Sequence, residues 1–192
     1  MAAPTKGTVD ALMMLIRYLK MYPSIKQEWF ANATMEDMII QVYADSDWAS
    51  DQITRKSTSG GVLRLGPVVL GHWSKSQASV ALSSAEAELN AMVKGLVEAV
   101  SIWNLVQELW QKEVAIEAYT DASACRGMLL RRGVGRVKHL STKQLWAQGA
   151  VESFGVNIVK IPRAQNSADA FTHALSGQAL QDHLRRVGFV LA

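Results

Sequence analysis

Residues 38–44 (Met-Ile-Ile-Gln-Val-Tyr-Ala) form a run of β-branched, apolar and aromatic side chains without glycine or proline. The run ends abruptly in acid, at Asp45-Ser46-Asp47. That composition predicts a β-strand. Alternation puts Ile40, Val42 and Ala44 on one face and Ile39, Gln41, Tyr43 and Asp45 on the other. A strand central enough to bury such neighbours leaves a carboxylate at its exit costly unless something compensates the charge. Asp47 falls on the same face as Asp45, and alternation does not separate the two.

The 192 residues suffice for one domain of ordinary size with some extra length. Hydrophobic content of 49% and charged content of 19% exclude a disordered chain. A net charge of +3 is compatible with a polyanionic partner but falls far short of a strong nucleic-acid footprint. The single cysteine, Cys125, excludes an internal disulfide framework and a cysteine-based zinc site, so an intracellular location, cytoplasm or nucleus, is expected. No uninterrupted apolar run approaches the roughly 20 residues of a membrane span, and no membrane partner is expected.

Residues 9–21 predict a helix with a Leu12, Ile16 and Leu19 stripe, stopped by Pro23. A short strand at 25–30 and a turn at 31–35 complete a leading segment, 1–35. A polar loop at 51–61 follows the opening strand. Strands at 62–65 and 68–74 flank Gly66-Pro67, giving a three-stranded antiparallel meander. Ser83-Ser84-Ala85-Glu86 fits a capping box, and a proline-free helix runs to about Gln111. On that helix Glu86 aligns with Asn90, Lys94, Ser101 and Asn104 in a solvated stripe. Glu88 lies about 200° away, on an apolar column with Ala91, Met92, Gly95 and Ala99, where a carboxylate needs a special reason.

A strand at 115–120 ends in a further acid, Asp121, and a helix at 122–130 follows. Residues 131–139 are a basic, glycine-punctuated loop. A helix at 140–151, a strand at 156–161, a helix from 166 to 175 with Asp169 near its start, and a docking helix at 179–187 complete the chain. The tryptophans Trp48, Trp73, Trp103, Trp110 and Trp146 are expected in the core.

The order β-β-β-α-β-α-α-β-α implies an α/β fold: a five-stranded mixed sheet, three strands antiparallel and then two parallel, flanked by helices. Ligands of such sheets gather at the carboxyl ends of the parallel strands. Acids at two strand ends and in the first turns of two helices converge there, and their repulsion is tolerable chiefly when divalent cations neutralise it. An oxygen-only donor set points to Mg²⁺ or Mn²⁺.

Several motifs closely resemble the ribonuclease H domain of copia-type retrotransposon polyproteins: Asp45-Ser46-Asp47-Trp48, Arg55-Lys56-Ser57-Thr58-Ser59-Gly60, Trp73-Ser74-Lys75-Ser76-Gln77, 80–88 and Lys138-His139. The resemblance runs in register from about residue 8 to 176, and 9–30 looks like the link from a reverse transcriptase. It implies a ribonuclease H domain over 36–176 and a helical tail over 177–192. It also chooses Asp45 over Asp47, and places the family's acidic set on Asp45, Glu88, Asp121 and Asp169, holding two Mg²⁺ or Mn²⁺ ions.

The implied activity is sequence-nonspecific hydrolysis of the RNA strand of RNA–DNA hybrids during reverse transcription, with a reverse transcriptase in the same polyprotein as a further partner. Ser84 and Ser123 are then candidates for RNA 2′-hydroxyl contacts. Arg55, Lys56, Lys75, Arg131, Arg132, Arg136 and Lys138 are candidates for phosphate contacts. The histidine that many ribonucleases H carry before the last aspartate is missing from 162–166, and His173, one turn beyond Asp169, is the auxiliary candidate. The alternative is a catalytically silent module that binds nucleic acid or supports a polymerase.

Overall fold

The computed structural model describes residues 4–28, 34, 38–133 and 141–191. In chain order its elements are α1 (Lys6–Met21), β1 (Ile25–Gln27), β2 (Ile40–Asp47), β3 (Thr58–Leu65), β4 (Val68–Ser76), α2 (Ser84–Trp110), β5 (Ile116–Thr120), α3 (Ser123–Leu130), α4 (Ser141–Ser153), β6 (Asn157–Lys160), α5 (Gly177–Arg186) and β7 (Phe189–Leu191). Two 3-10 turns, Arg163–Gln165 and Asp169–Phe171, lie between β6 and α5.

The main sheet has the order β4-β3-β2-β5-β6. β2 pairs antiparallel with β3, and β3 with β4, whereas β2–β5 and β5–β6 are parallel. This is the five-stranded mixed α/β sheet that the element order predicts. Ile40, Val42 and Ala44 point from β2 into the main core, together with Leu89, Met92, Leu96 and Ala99 of α2. Close contact is possible because Gly95 faces the sheet: a Cβ there would stand 2.8 Å from Val42 Cγ2. By length and composition α2 is apolar enough to cross a membrane. Here that apolarity is used against the sheet, with Ala87, Leu89, Ala91, Met92, Leu96 and Ala99 fully buried.

A smaller cluster covers the other face, where Val62 and Val69 meet Val187, with Tyr43, Phe171 and Phe189 at its edge. The second 3-10 turn, α5 and β7 supply this cover. β7 pairs antiparallel with β1, Ile25 opposite Leu191 and Gln27 opposite Phe189, so the leading segment is tied to the tail. Three residues are too few to show alternation, which is why β7 is absent from the sequence-based expectation. The 25–30 strand extends only from Ile25 to Gln27 among the described residues, and most of the expected 31–35 turn lies outside them. Helix α1 buries no residue, and Leu12, Ile16 and Leu19 are about half exposed.

Three other expectations are corrected. β3 starts at Thr58, inside the stretch expected to be loop, because Gly60 and Gly61 serve close approach rather than a turn. The 166–175 helix is replaced by the 3-10 turn Asp169–Phe171. Trp48, Trp110 and Trp146 are exposed, whereas Trp73 and Trp103 pack against the core. Trp48 lies just past β2, its indole N–H bonded to the Ala81 carbonyl at 3.0 Å. Trp110 ends α2, and Trp146 is on the side of α4 away from buried Gln144 and Ala147.

A Cβ on Gly61 would stand 2.0 Å from Trp73 Cζ2, and the indole, reaching over from β4, lies between Gly61 of β3 and Gly95 of α2. Gly61→Ala is expected to lower the melting temperature by about 4–10 °C through overpacking. Calorimetry of the variant against the parent checks it.

Candidate metal centre

The parallel pairing of β2 with β5 runs from Ile40–Ile116 to Tyr43–Tyr119, and the last pair stacks its rings at 4.5 Å. Two residues farther along each strand stand Asp45 and Asp121, where the backbones have parted. Asp45 is 3% exposed. Glu88 comes down from the second turn of α2, whose N-cap is Ser83. Ser46, on the α2 face of β2, holds Glu88 Oε1 with its backbone N–H at 3.2 Å and its hydroxyl at 2.8 Å. Oxygens of Asp45, Glu88 and Asp121 all lie within 4.8 Å of one another. Glu86 turns the other way: its Oε2 accepts from the Leu82 amide at 2.8 Å, and the side chain is buried rather than solvated. The cap folds this acid back over the helix start, which a stripe drawn at 100° per residue does not represent.

Asp169 arrives from the opposite face. Asn166, fully buried, donates from Nδ2 to the Ala44 carbonyl at 3.1 Å, and its Oδ1 accepts from the Ala168 amide at 3.2 Å. Those bonds fasten the segment next to the strand end. Gly60, directly opposite Asp45 in the β2–β3 register, lets the segment lie flat. A Cβ there would stand 2.7 Å from Thr172 Cγ2 and 2.8 Å from the Ala168 carbonyl oxygen. The Thr172 hydroxyl donates to Asp45 Oδ2, and Arg163 Nε donates to Asp169 Oδ1 at 2.8 Å. His173 Nε2 lies 3.7 Å from Asp45 and 3.9 Å from Asp169, and donor atoms of these three residues form a second group within 4.8 Å. Asp45 belongs to both groups. Sequence assigns no role at this site to Ser46, which it shows only inside the Asp45–Trp48 motif, or to Asn166, Arg163 and Thr172, since each acts through a contact distant in the chain or through a turn without periodicity.

Burial pushes the Asp45 carboxyl up to about 6, and Asp121 and Asp169 add to it against the Thr172 hydrogen bond and His173. Burial and then Asp45 push Glu88 up to about 8, opposed by Ser46. The donor set is thus short of positive charge. Carboxylates plus one imidazole at this spacing fit a divalent cation, and the residues that would hold it are Asp45, Glu88, Asp121, Asp169 and His173.

Of the candidate nucleic-acid contacts, Ser84 and Ser123 are exposed at the starts of α2 and α3, and Ser123 Oγ accepts from Lys160. Arg55 is exposed and Lys56 half-buried in the 51–56 loop, which Asp51 closes by accepting from the Ile53 and Thr54 amides. Arg132 is exposed, while Arg131 lies half-buried with Nη2 3.4 Å from Gln144 Oε1. Arg136 and Lys138 lie outside the described residues. Lys75 meets Lys94 and Lys143 around a polar groove of about 250 Å³ that also takes in Gln77 and Asn90. Lys94 and Lys143 were not singled out from sequence; they come from different helices, and only the fold brings them together.

No protein-family model matches the chain. The Retrovirus-related Pol polyprotein from transposon RE1 of Arabidopsis thaliana is 27% identical over 190 residues, covering 98% of this chain and 13% of the polyprotein. The polyprotein from transposon RE2 of the same plant is 28% identical over 195 residues, covering 99% and 13%. Among solved structures, LC11-RNase H1, isolated from compost by a metagenomic approach, superposes with a TM-score of 0.56 at 16% identity, covering 76% of this chain and 98% of that one. Its complex with an RNA/DNA hybrid gives 0.50 at 16% identity, covering 76% and 99%. The fold is that of ribonuclease H. The homologues are copia-type retrovirus-related Pol polyproteins, and this ribonuclease H-like chain spans about 13% of the length of the two compared here.

Asp45 and Glu88 hold protons more tightly folded than unfolded. Their contribution to stability is full below about pH 4 and is lost as pH rises through about 6 and about 8. In EDTA, Glu88→Gln is therefore expected to melt above the parent at pH 8, by about 2–4 °C or more, with the gap closing towards pH 5. Melting curves across that range, with and without Mg²⁺, check this, and Mg²⁺ should raise the parent most at the alkaline end.

Proposed function

We propose that this chain hydrolyses the RNA strand of RNA–DNA hybrids by a two-metal-ion mechanism, as part of retrotransposon reverse transcription. The observation that carries the reading is Asp45, the residue shared by two donor groups, one with Glu88 and Asp121 and the other with Asp169 and His173. Bound Mg²⁺ or Mn²⁺ would neutralise the acids, activate the attacking water and stabilise the leaving 3′ oxygen. Asp45 would be held in common, with Glu88 and Asp121 completing one position and Asp169 the other. Ser46 fixes the Glu88 carboxylate, and Asn166 fixes the backbone that carries Asp169. The polar groove with Lys75, Lys94 and Lys143 lies on the β4 side of α2, a placement suited to phosphates of the hybrid. The same reading takes a reverse transcriptase of the polyprotein as a working partner.

Cleavage of a labelled hybrid in Mg²⁺, Mn²⁺ or EDTA tests the proposal. Asp121→Asn is expected to lose cleavage on the order of 10³-fold while still binding hybrid. Glu86→Gln keeps its capping bond and cuts near the parental rate. Loss of activity in Glu86→Gln with retention in Glu88→Gln would overturn the assignment. A parent chain that binds hybrid without cutting it in any metal would instead mark a silent nucleic-acid-binding module.

A further inference from the structure

We infer that His173 is a metal ligand, so that the second ion position is Asp45, Asp169 and His173 and takes a first-row transition-metal dication in preference to Mg²⁺. This rests on the two-ion reading above and gives its two positions different chemistry. The His173 amide bonds the Asp169 carbonyl at 3.1 Å, which seats the ring just past the 3-10 turn and beside both carboxylates. Nε2 is 3.7 Å from Asp45 Oδ2 and 3.9 Å from Asp169 Oδ1, too far for hydrogen bonds. With every pair of donor atoms within 4.8 Å, one ion with bonds of about 2.1–2.4 Å spans the three.

The groups now on those oxygens are displaceable. Arg163, which bonds Asp169 Oδ1, has a side chain 59% exposed and is free to swing into solvent. Thr172 holds Asp45 Oδ2 with a single hydroxyl. The other position, Asp45 with Glu88 and Asp121, offers oxygen alone. Mg²⁺ favours oxygen and gives up water reluctantly, whereas an imidazole nitrogen favours transition-metal ions. The oxygen-only expectation drawn from the four acids therefore describes one position and not the other.

Mn²⁺ added to the full chain without nucleic acid provides the test. Spin-echo modulation spectroscopy is expected to show ¹⁴N coupling from a coordinated imidazole, and His173→Gln to abolish it. The same variant is expected to weaken that class of bound Mn²⁺ by about tenfold, with a smaller change for Mg²⁺. Its melting temperature in EDTA, compared with the parent's, establishes that it folds. No bound Mn²⁺, no ¹⁴N coupling in the parent, or coupling that persists in His173→Gln would each overturn the inference. Because none of these readouts needs cleavage, a chain that shows the coupling but never cuts hybrid would uphold the ligand while removing the hydrolase reading.

Discussion

Carboxylates held within a few ångströms of one another, out of bulk water, push apart, and the surrounding structure has to prevent them from parting. The restraint is mechanical. β2 and β5 are locked in parallel register as far as the stacked Tyr43–Tyr119 pair, so Asp45 and Asp121, two residues beyond it, are fixed from below. Ser46 clamps Glu88 from the strand side. The result is a stored electrostatic load whose relief is the binding of positive charge.

The load sits where the two faces of the sheet meet. Glu88 belongs to the face covered by α2, and Asp169 to the face covered by the 3-10 turn and the tail. β2 serves both, because Ala44 and Ser46 look one way and Asp45 the other. Asn166 reaches the Ala44 carbonyl, so the segment bearing Asp169 is fastened to the strand beside the residue it must meet. Gly60 matters equally by having nothing to offer: any side chain there would lift the segment from the sheet. Stability and ligand geometry therefore share residues in this part of the molecule.

Much of this was legible in the sequence for definite reasons. The alternation in 38–44, the Gly66-Pro67 turn and the proline-free run after Ser83 are local signals, and they give the antiparallel meander and the helix that follows it. Helical phase separates Glu88 from Glu86, and in the structure Glu88 is the one beside Asp45. The same phase misjudges the exposure of Glu86, because capping bends the first turn's side chains away from an ideal wheel. Asp45 and Asp47 are indistinguishable by alternation; the segment at 168–172, more than a hundred residues away, reaches the first, and its Thr172 bonds it. The 3-10 turns and the three-residue β7 are too short to carry periodicity. Tryptophans at element ends look like core by composition and are exposed by position.

The ribbon of β1 and β7 has a mechanical meaning. Its register sets Ile25 against Leu191, so the strand ends nearest the rest of the leading segment and nearest the tail's last residues lie side by side. Tension applied through both ends would peel the pairs one after another instead of shearing them together. Three pairs peeled in sequence resist less force than three sheared together, and what remains beyond them is the Gln27–Val69 bond and the Phe189 contact that join the ribbon to the five-stranded sheet.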